Sequence, residues 1–342
     1  MGAVQEADDA EDRLLAAARR GDETAFAALV HRHRRELDAY CYRLLGSVQD
    51  AEDAVQETLL AAWRGLPGFE GRSSLRTWLY RVATNAALRL SARRPRRLLS
   101  FDAGPPRCDT GDLGEPVPGP VWVEPWLDDP AAAEDDPAAA YLRRESVELA
   151  FVAALQHLPG TQRAVLVLRE VLGFSAAEVG RLLDTTPVSV NSALQRARAT
   201  LRQRLPARSQ QAELAALGPD GRRELVRAFV AAWERADVPA LLALLSADAR
   251  FTMPPLPAWF DGREDVGRFL ADRAFATPWR LVPVGGDGQP ALACYQDVGA
   301  GHRLGAVTVL HLTGGRISWI AGFLDPALHR LLDVPADLPG DR

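Results

Sequence analysis

From residue 12 to residue 97 the apolar positions recur every three or four residues, and Gly21, Gly46, Gly65 and Gly71 interrupt the run. That period predicts a set of amphipathic helices. The pattern breaks over 98–140, where Pro, Gly and acidic residues crowd together, as a linker does. Its stretch "VWVEPWL" is unusually aromatic for a spacer and reads either as a docking patch or as a locally collapsed loop. Helical spacing returns over 141–206. A short helical connector follows, and the style changes from 222 to 342. Helices are expected at 222–235 and 238–246, a strand at 249–253 and a helix at 262–273. Alternating segments at 279–285, 289–297, 304–313 and 316–324 read as strands. The expected architecture is multidomain: two all-α parts, then an α+β domain with helices against a curved antiparallel sheet.

The second all-α part ends in a specific local pattern. Ser175 suits a helix N-cap, and Glu178 three residues on completes a capping box. Asp184-Thr185-Thr186 makes a turn. Thr186 can cap the next helix, and Pro187 suits its first position, where no N–H is required. In that helix Val190, Leu194, Ala197 and Leu201 form one stripe, while Ser189, Asn191, Ser192, Gln195, Arg196 and Arg198 occupy the other face. Two short helices with a tight turn, the second polar outside, is helix-turn-helix geometry. Asn, Gln and Arg can form paired bonds to base edges, and Arg also grips phosphate. An ordinary solvated amphipathic helix is the plainer reading of the same residues.

The helix over 50–63 also has two faces. Ala54, Val55, Leu59 and Ala62 share one arc, and Asp50, Asp53 and Glu57 the other, with Glu52 and Gln56 at its edge. Such an acidic face is usually just solvated. Here it precedes a segment in which Phe69, Trp78 and Tyr80 are interleaved with arginines, a composition suited to bases held out of a duplex. Trp78 taken alone reads as a core residue.

Charge sharpens this picture. All 40 basic residues of the 342 are arginine, which reads as codon bias, and the net charge is −5. Residues 71–97 hold eight arginines and no acid, 98–140 ten acids and one arginine, and 161–208 eight arginines and three acids. Two basic segments flanking an acidic one suggest a polyanion touched at two places. The three cysteines, Cys41, Cys108 and Cys294, have neither disulfide nor zinc-site spacing. No apolar run is long enough to span a bilayer, and the opening "MGAVQEADDAEDRLL" is acidic, unlike a signal peptide. A soluble, cytoplasmic protein without metal or cofactor is expected.

"DAEDAVQETLLAAWRGLPGFEGRSSLRTWLYRVATNAAL" resembles the second conserved region of sigma-70-type factors of the extracytoplasmic-function group. "LQHLPGTQRAVLVLREVLGFSAAEVGRLLDTTPVSVNSALQRARATLRQRL" resembles their fourth region. The resemblance divides the chain into region 2 at 12–97, a linker at 98–140 and region 4 at 141–206. It implies that Asp50, Asp53, Gln56 and Glu57 dock on the clamp of RNA polymerase core. It implies that Phe69, Arg72, Ser73, Ser74, Arg76, Tyr80, Arg81 and Asn85 open and hold the minus-ten element. Thr186, Ser189, Asn191, Ser192, Gln195, Arg196 and Arg198 then read the minus-35 element as duplex. Many members carry basic residues where this chain has Asn191 and Ala193, and many stop near residue 206.

In the tail, 222–342, the stretch "VRAFVAAWERADVPALLALLSADARFTMPPLPAWFDGREDVGRFL" resembles the opening of SnoaL-like domains, which share a cone-shaped α+β barrel fold with polyketide cyclases. That fold hosts enzymes and pure interaction modules alike. A pocket lined by Phe251, Met253, Trp259, Tyr295, His311 and Trp319 is expected, and His311 with Asp325 is its tempting acid/base pair. The reading is a non-enzymatic promoter-specificity factor whose tail modulates its activity. The expected partners are RNA polymerase core and promoter DNA, with room for an anti-sigma factor or a small-molecule ligand of the tail, and no membrane. Two other classes remain open: a stand-alone, ligand-gated helix-turn-helix regulator, and a cyclase- or isomerase-like enzyme fused to a DNA-binding module.

Overall fold

Ser and Asp side chains open nearly every long helix of the N-terminal half. Asp22, Ser47 and Ser74 accept the backbone N–H groups of Ala25, Asp50 and Thr77, and so start α2 (Glu23–Leu45), α3 (Val48–Gly65) and α4 (Leu75–Arg93). Gly46 ends α2 at φ 69° and donates to Tyr42 O. A further helix, α1, spans Gly2–Arg19. The structure is a computed structural model that describes residues 2–119, 121–126, 148–205, 208–284, 289–329 and 334–339. Residues 127–147, including the end of the aromatic patch, lie outside them.

The chain divides into two compact bodies, one made of residues 1–96 with 152–205, the other of 97–151 with 206–342. The first holds α1–α4, most of α6 (Leu149–Leu155), α7 (Gly160–Leu166), α8 (Ala176–Leu182) and α9 (Pro187–Arg202). Its two halves pack directly on each other. Tyr80 of α4 meets Tyr40 of α2 edge-on at 5.1 Å and Phe174, just before α8, at 5.4 Å. Arg163 of α7 is buried and donates to the carbonyl oxygens of Leu44 and Leu158 and to Gln156 Oε1. A cation therefore satisfies the Leu44 carbonyl left over at the C-terminus of α2. Burial, with Arg96 nearby, pulls its pKa down to about 10, so it stays charged.

The second body contains α5 (Ser100–Ala103), α10 (Gln210–Glu234, kinked at Gly218, φ 72°), α11 (Val238–Leu244), α12 (Arg263–Asp272) and α13 (Pro326–His329) around one sheet. The strands are β1 (Leu245–Thr252), β2 (Trp259–Asp261), β3 (Trp279–Val284), β4 (Ala291–Asp297), β5 (Gly301–Thr313), β6 (Arg316–Phe323) and β7 (Asp337–Pro339). Their order is β2-β1-β6-β5-β4-β3, with β7 on β5 and a single parallel pair, β1 with β6. The sheet is open, so the expected barrel is at most a cone. Its inner face is filled by aromatic side chains: Phe251 and Phe260 both lie against Phe269, at 4.9 and 4.6 Å.

The segment read as a linker belongs to this second body over its described residues. Leu98 pairs with Trp122, burying Trp122 and Val123. Arg107 N donates to Trp259 O at 2.7 Å, Val117 N to Pro255 O at 2.9 Å and Thr110 Oγ1 to Asp272 Oδ2 at 2.9 Å. The Pro/Gly-rich composition here makes a fitted strap rather than a free spacer.

Candidate polymerase and nucleic-acid interfaces

The helix-turn-helix forms as its caps dictate. Ser175 Oγ accepts Glu178 N at 3.2 Å, and Ser175 N donates to Glu178 Oε2 at 2.8 Å. The turn is tight enough that a Cβ on Gly180 would lie 2.9 Å from Thr185 O, and Asp184 takes φ 50°. Thr186 caps α9 through Ser189 N. Val190, Ala193, Leu194, Ala197 and Leu201 are buried, so Ala193 belongs to the packing stripe and faces no groove. Asn191, Gln195, Arg196 and Arg198 are exposed and Ser192 half-buried. The Thr186 hydroxyl donates to Ser189 Oγ at 3.0 Å, and Arg198 pairs with Glu170 at 2.5 Å, so these three side chains have local partners.

The minus-ten candidates are brought onto α4 and the loop before it, but not all reach the surface. Arg72, Ser74, Arg81 and Asn85 are exposed, and Ser73 is half-buried. Arg72 pairs with Glu70 at 2.6 Å. Phe69 is buried against Trp78, with ring centroids 5.2 Å apart. Tyr80 is 1% exposed, and its hydroxyl donates to Glu36 Oε2 at 3.0 Å. Arg76 also binds Glu36, and its guanidinium lies over both Tyr80 and Phe174 at 5.1 and 5.2 Å. Phe69 and Tyr80 therefore depart from the expected stacking role in this arrangement: their apolar rings gain more from the core than from water. Arg81 is held by Asp184 of the helix-turn-helix.

On α3, Asp53, Gln56 and Glu57 are exposed as expected. Asp50 is not. It is buried at the first turn of the helix and paired with Arg94 at 3.3 Å, so it cannot belong to a docking face. Glu57 pairs with Arg89 across the surface at 2.6 Å.

Among the described residues, the six expected pocket residues of the tail are spread over separate clusters. Phe251 and Met253 point into the inner core, Tyr295 packs with Leu304 in a separate cluster, and Trp259 and Trp319 flank Phe101 at 6.1 and 5.5 Å. Alternation along the strands is the cause, because neighbours in sequence face opposite sides of a sheet. His311 is buried, stacks on Trp319 at 4.2 Å and contacts the Gln289 side-chain amide. Burial draws its pKa down to about 3. Asp325 instead accepts from Ala327 N, so the tempting pair with His311 is not seen as a bonded one. A groove of about 770 Å³ opens elsewhere, between α10 and the ends of β3 and β4, lined by Arg222, Val226, Val230, Glu234, Pro283 and Gln289 among others. None of the six residues lines it.

Comparison with known proteins identifies the regions that carry these surfaces. Family profiles match Sigma-70 region 2 over residues 29–97, Sigma-70 region 4 over 148–201 and the SnoaL-like domain over 226–320. The chain is 42% identical over 327 residues to the ECF RNA polymerase sigma factor SigG of Mycobacterium tuberculosis, covering 94% of this chain and 86% of the relative. The chain belongs to the extracytoplasmic-function sigma factors. It is also 30% identical over 189 residues to the RNA polymerase sigma-H factor of Pseudomonas aeruginosa, covering 55% of this chain and 90% of that one. The crystal structure of the Mycobacterium tuberculosis sigma factor SigJ shares its fold, with a TM-score of 0.60 at 22% identity, over 88% of this chain and 97% of the other.

As an extracytoplasmic-function sigma factor, the protein binds RNA polymerase core and directs promoter-specific initiation, and is not an enzyme. Among the described residues, no helix is long and apolar enough to cross a membrane. Sequence reasoning missed two features of this sigma factor. Leu60 is 58% exposed in the middle of the Asp53–Gln56–Glu57 face. The signal was available, since Leu60 falls off the Ala54–Val55–Leu59–Ala62 arc. Phe101 is the second, a lone aromatic in acidic surroundings whose aromatic partners, Trp259 and Trp319, lie more than 150 residues away and give no local pattern.

Proposed function

We propose that the exposed face of α3, built of Asp53, Gln56, Glu57 and the apolar Leu60, docks on the clamp of polymerase core. A charged rim around one apolar anchor suits a specific protein interface. In this reading Arg72, Ser74, Arg81 and Asn85 engage the minus-ten strand, and Asn191, Ser192, Gln195 and Arg196 face the minus-35 duplex. The observation that carries it is the outer face of α9, polar and solvent-facing on a helix whose N-terminus is capped and whose opposite face is fully buried. The protein acts in the cytoplasm, where polymerase and promoter are.

The tail modulates activity by holding the strap that connects the two sigma regions. Arg107, Thr110, Val117 and Phe101 of the strap all bond to or pack on it. Run-off transcription with purified core polymerase, with and without the full chain, tests the reading as a whole. Promoter-dependent transcript only in its presence is the expected result. Specific duplex binding without core, and no transcript with it, would instead make the chain a stand-alone regulator.

A further inference from the structure

Val188 is 74% exposed, the most exposed large hydrophobic residue among those described. Single exposed apolar residues are common, so exposure alone decides nothing. Position decides. Val188 sits in the first turn of α9, directly after the N1 proline. At 100° per residue, Val188, Ser192 and Gln195 fall within about 40° of the line opposite the buried stripe. Val188 is thus on the outermost ridge of the recognition helix, and at the end that enters the major groove in helix-turn-helix proteins. The fold does not need it there: Val190, Ala193 and Leu194 make the contacts that hold the helix. Polar Asn191 and Ser192 flank it one turn on.

In the major groove one base-pair feature is apolar, the C5-methyl of thymine, and short apolar side chains contact it. We infer that Val188 is a specificity residue that packs its methyls on one thymine methyl of the minus-35 element. Asn191, Ser192 and Gln195 read polar edges beside it. From Val188 to Gln195 the helix rises about 10 Å, or about three base-pair steps. The inference rests on the proposal that α9 reads minus-35 duplex.

The test uses holoenzyme assembled from core polymerase and the full chain. Its preferred minus-35 sequence is first selected from a pool randomised at those positions. Each thymine of the selected element, on either strand, is then replaced singly by uracil, which lacks only the methyl. At one position uracil should weaken binding of the unaltered protein about fourfold, the contribution of one methyl group removed from water. Val188→Ala should lose about the same factor on the thymine promoter and be indifferent to uracil there. Val188→Thr, which keeps a γ-methyl, should retain the discrimination. The inference is overturned if no thymine position responds. It is equally overturned if Val188→Ala stays as sensitive to uracil as the parent, or weakens every promoter alike. A pool that yields no minus-35 preference at all would remove the reading of α9 itself, a different failure from a preference blind to the methyl. Because Val188 is exposed, an unchanged melting temperature is expected in both variants and guards against misfolding.

Discussion

One guanidinium nitrogen of Arg81 donates to both carboxylate oxygens of Asp184, at 3.1 and 3.0 Å. The pair joins α4 to the turn of the helix-turn-helix. Arg81 is one of the side chains proposed above to engage the minus-ten strand, so on that reading the pair parts when α4 grips it. Both partners are well exposed, so the pair contributes about 0.5–1 kcal/mol. Asp184→Asn should therefore raise transcription at limiting factor about two- to fivefold. In an Arg81→Gln background the same change should do nothing further. Additive effects in run-off assays would mean that Asp184 acts on DNA directly and the pair gates nothing.

Core association should depend on the face of α3 that stays exposed. Reversing Asp53 and Glu57 to arginine should weaken binding to core about tenfold, roughly 1.4 kcal/mol. Substitutions at exposed positions cost the fold within about 0.5 kcal/mol. Leu60→Ser should weaken it further. Asp50→Asn should instead lower stability with no specific loss of core affinity, because Asp50 is buried against Arg94. Pull-down with core, read beside thermal melts, separates the two cases.

The tail should be acid-sensitive through His311. Its pKa falls from 6.5 to about 3 on burial, so the unfolded chain takes up a proton that the folded one refuses. Its contribution is fully present above pH 6.5 and is lost as pH falls from there toward 3. His311→Gln should flatten that slope. A melting temperature of the tail that falls equally steeply between pH 6.5 and 4.5 in parent and variant would contradict it.

Asp38 of α2 predicts the opposite slope in the other body. Burial raises its pKa from 3.8 to about 6, against the pull of Arg34. The ionised form is therefore disfavoured in the fold, and stability falls as pH rises through 4 to 6. Asp38→Asn should stabilise the sigma regions by about 1–2 kcal/mol at pH 8, with allowance for partial exposure, and not at pH 4. Melts at the two pH values decide.

Cutting the chain after residue 206 should not yield a clean two-domain sigma factor. The cut removes Trp259 and Trp319 from Phe101, and Asp272 from Thr110. The truncated protein should bind a hydrophobic dye and be cleaved by protease within 97–126, where the full chain resists. In the full chain Phe101→Ala should cost the tail about 2–3 kcal/mol, at or below the low end for an aromatic truncation because the ring is only half-buried. Equal protease resistance in both proteins would mean the strap stands alone.

Local rules carried far in this molecule. The capping box at Ser175, the N-cap at Thr186, the Gly-punctuated helices and the strands at 279–285 and 316–324 could be read directly because their causes lie within a few residues. What could not be read depends on distant partners. Tyr80 looks like a stacking residue until Glu36 and Phe174 enclose it. Asp50 looks exposed until Arg94 arrives. The six tail residues separate because β-strand alternation sends Phe251 to the inner face and Trp259 and Trp319 to the other, and composition cannot say which face a ligand would see. Strands β2 and β7, three residues each, are too short to leave a period.

The strap also fixes a timetable for synthesis. Phe101 leaves the ribosome 158 residues before Trp259, an interval of about ten to thirty seconds at ordinary elongation rates. During that wait region 4 is made and can fold on region 2, while the strap's apolar side chains stay in water without partners. The sequence segment 98–140 that contains the strap holds ten acids and one arginine, a net negative charge. Like-charged chains repel one another, and the nascent strap is thereby kept soluble until the sheet that receives it exists.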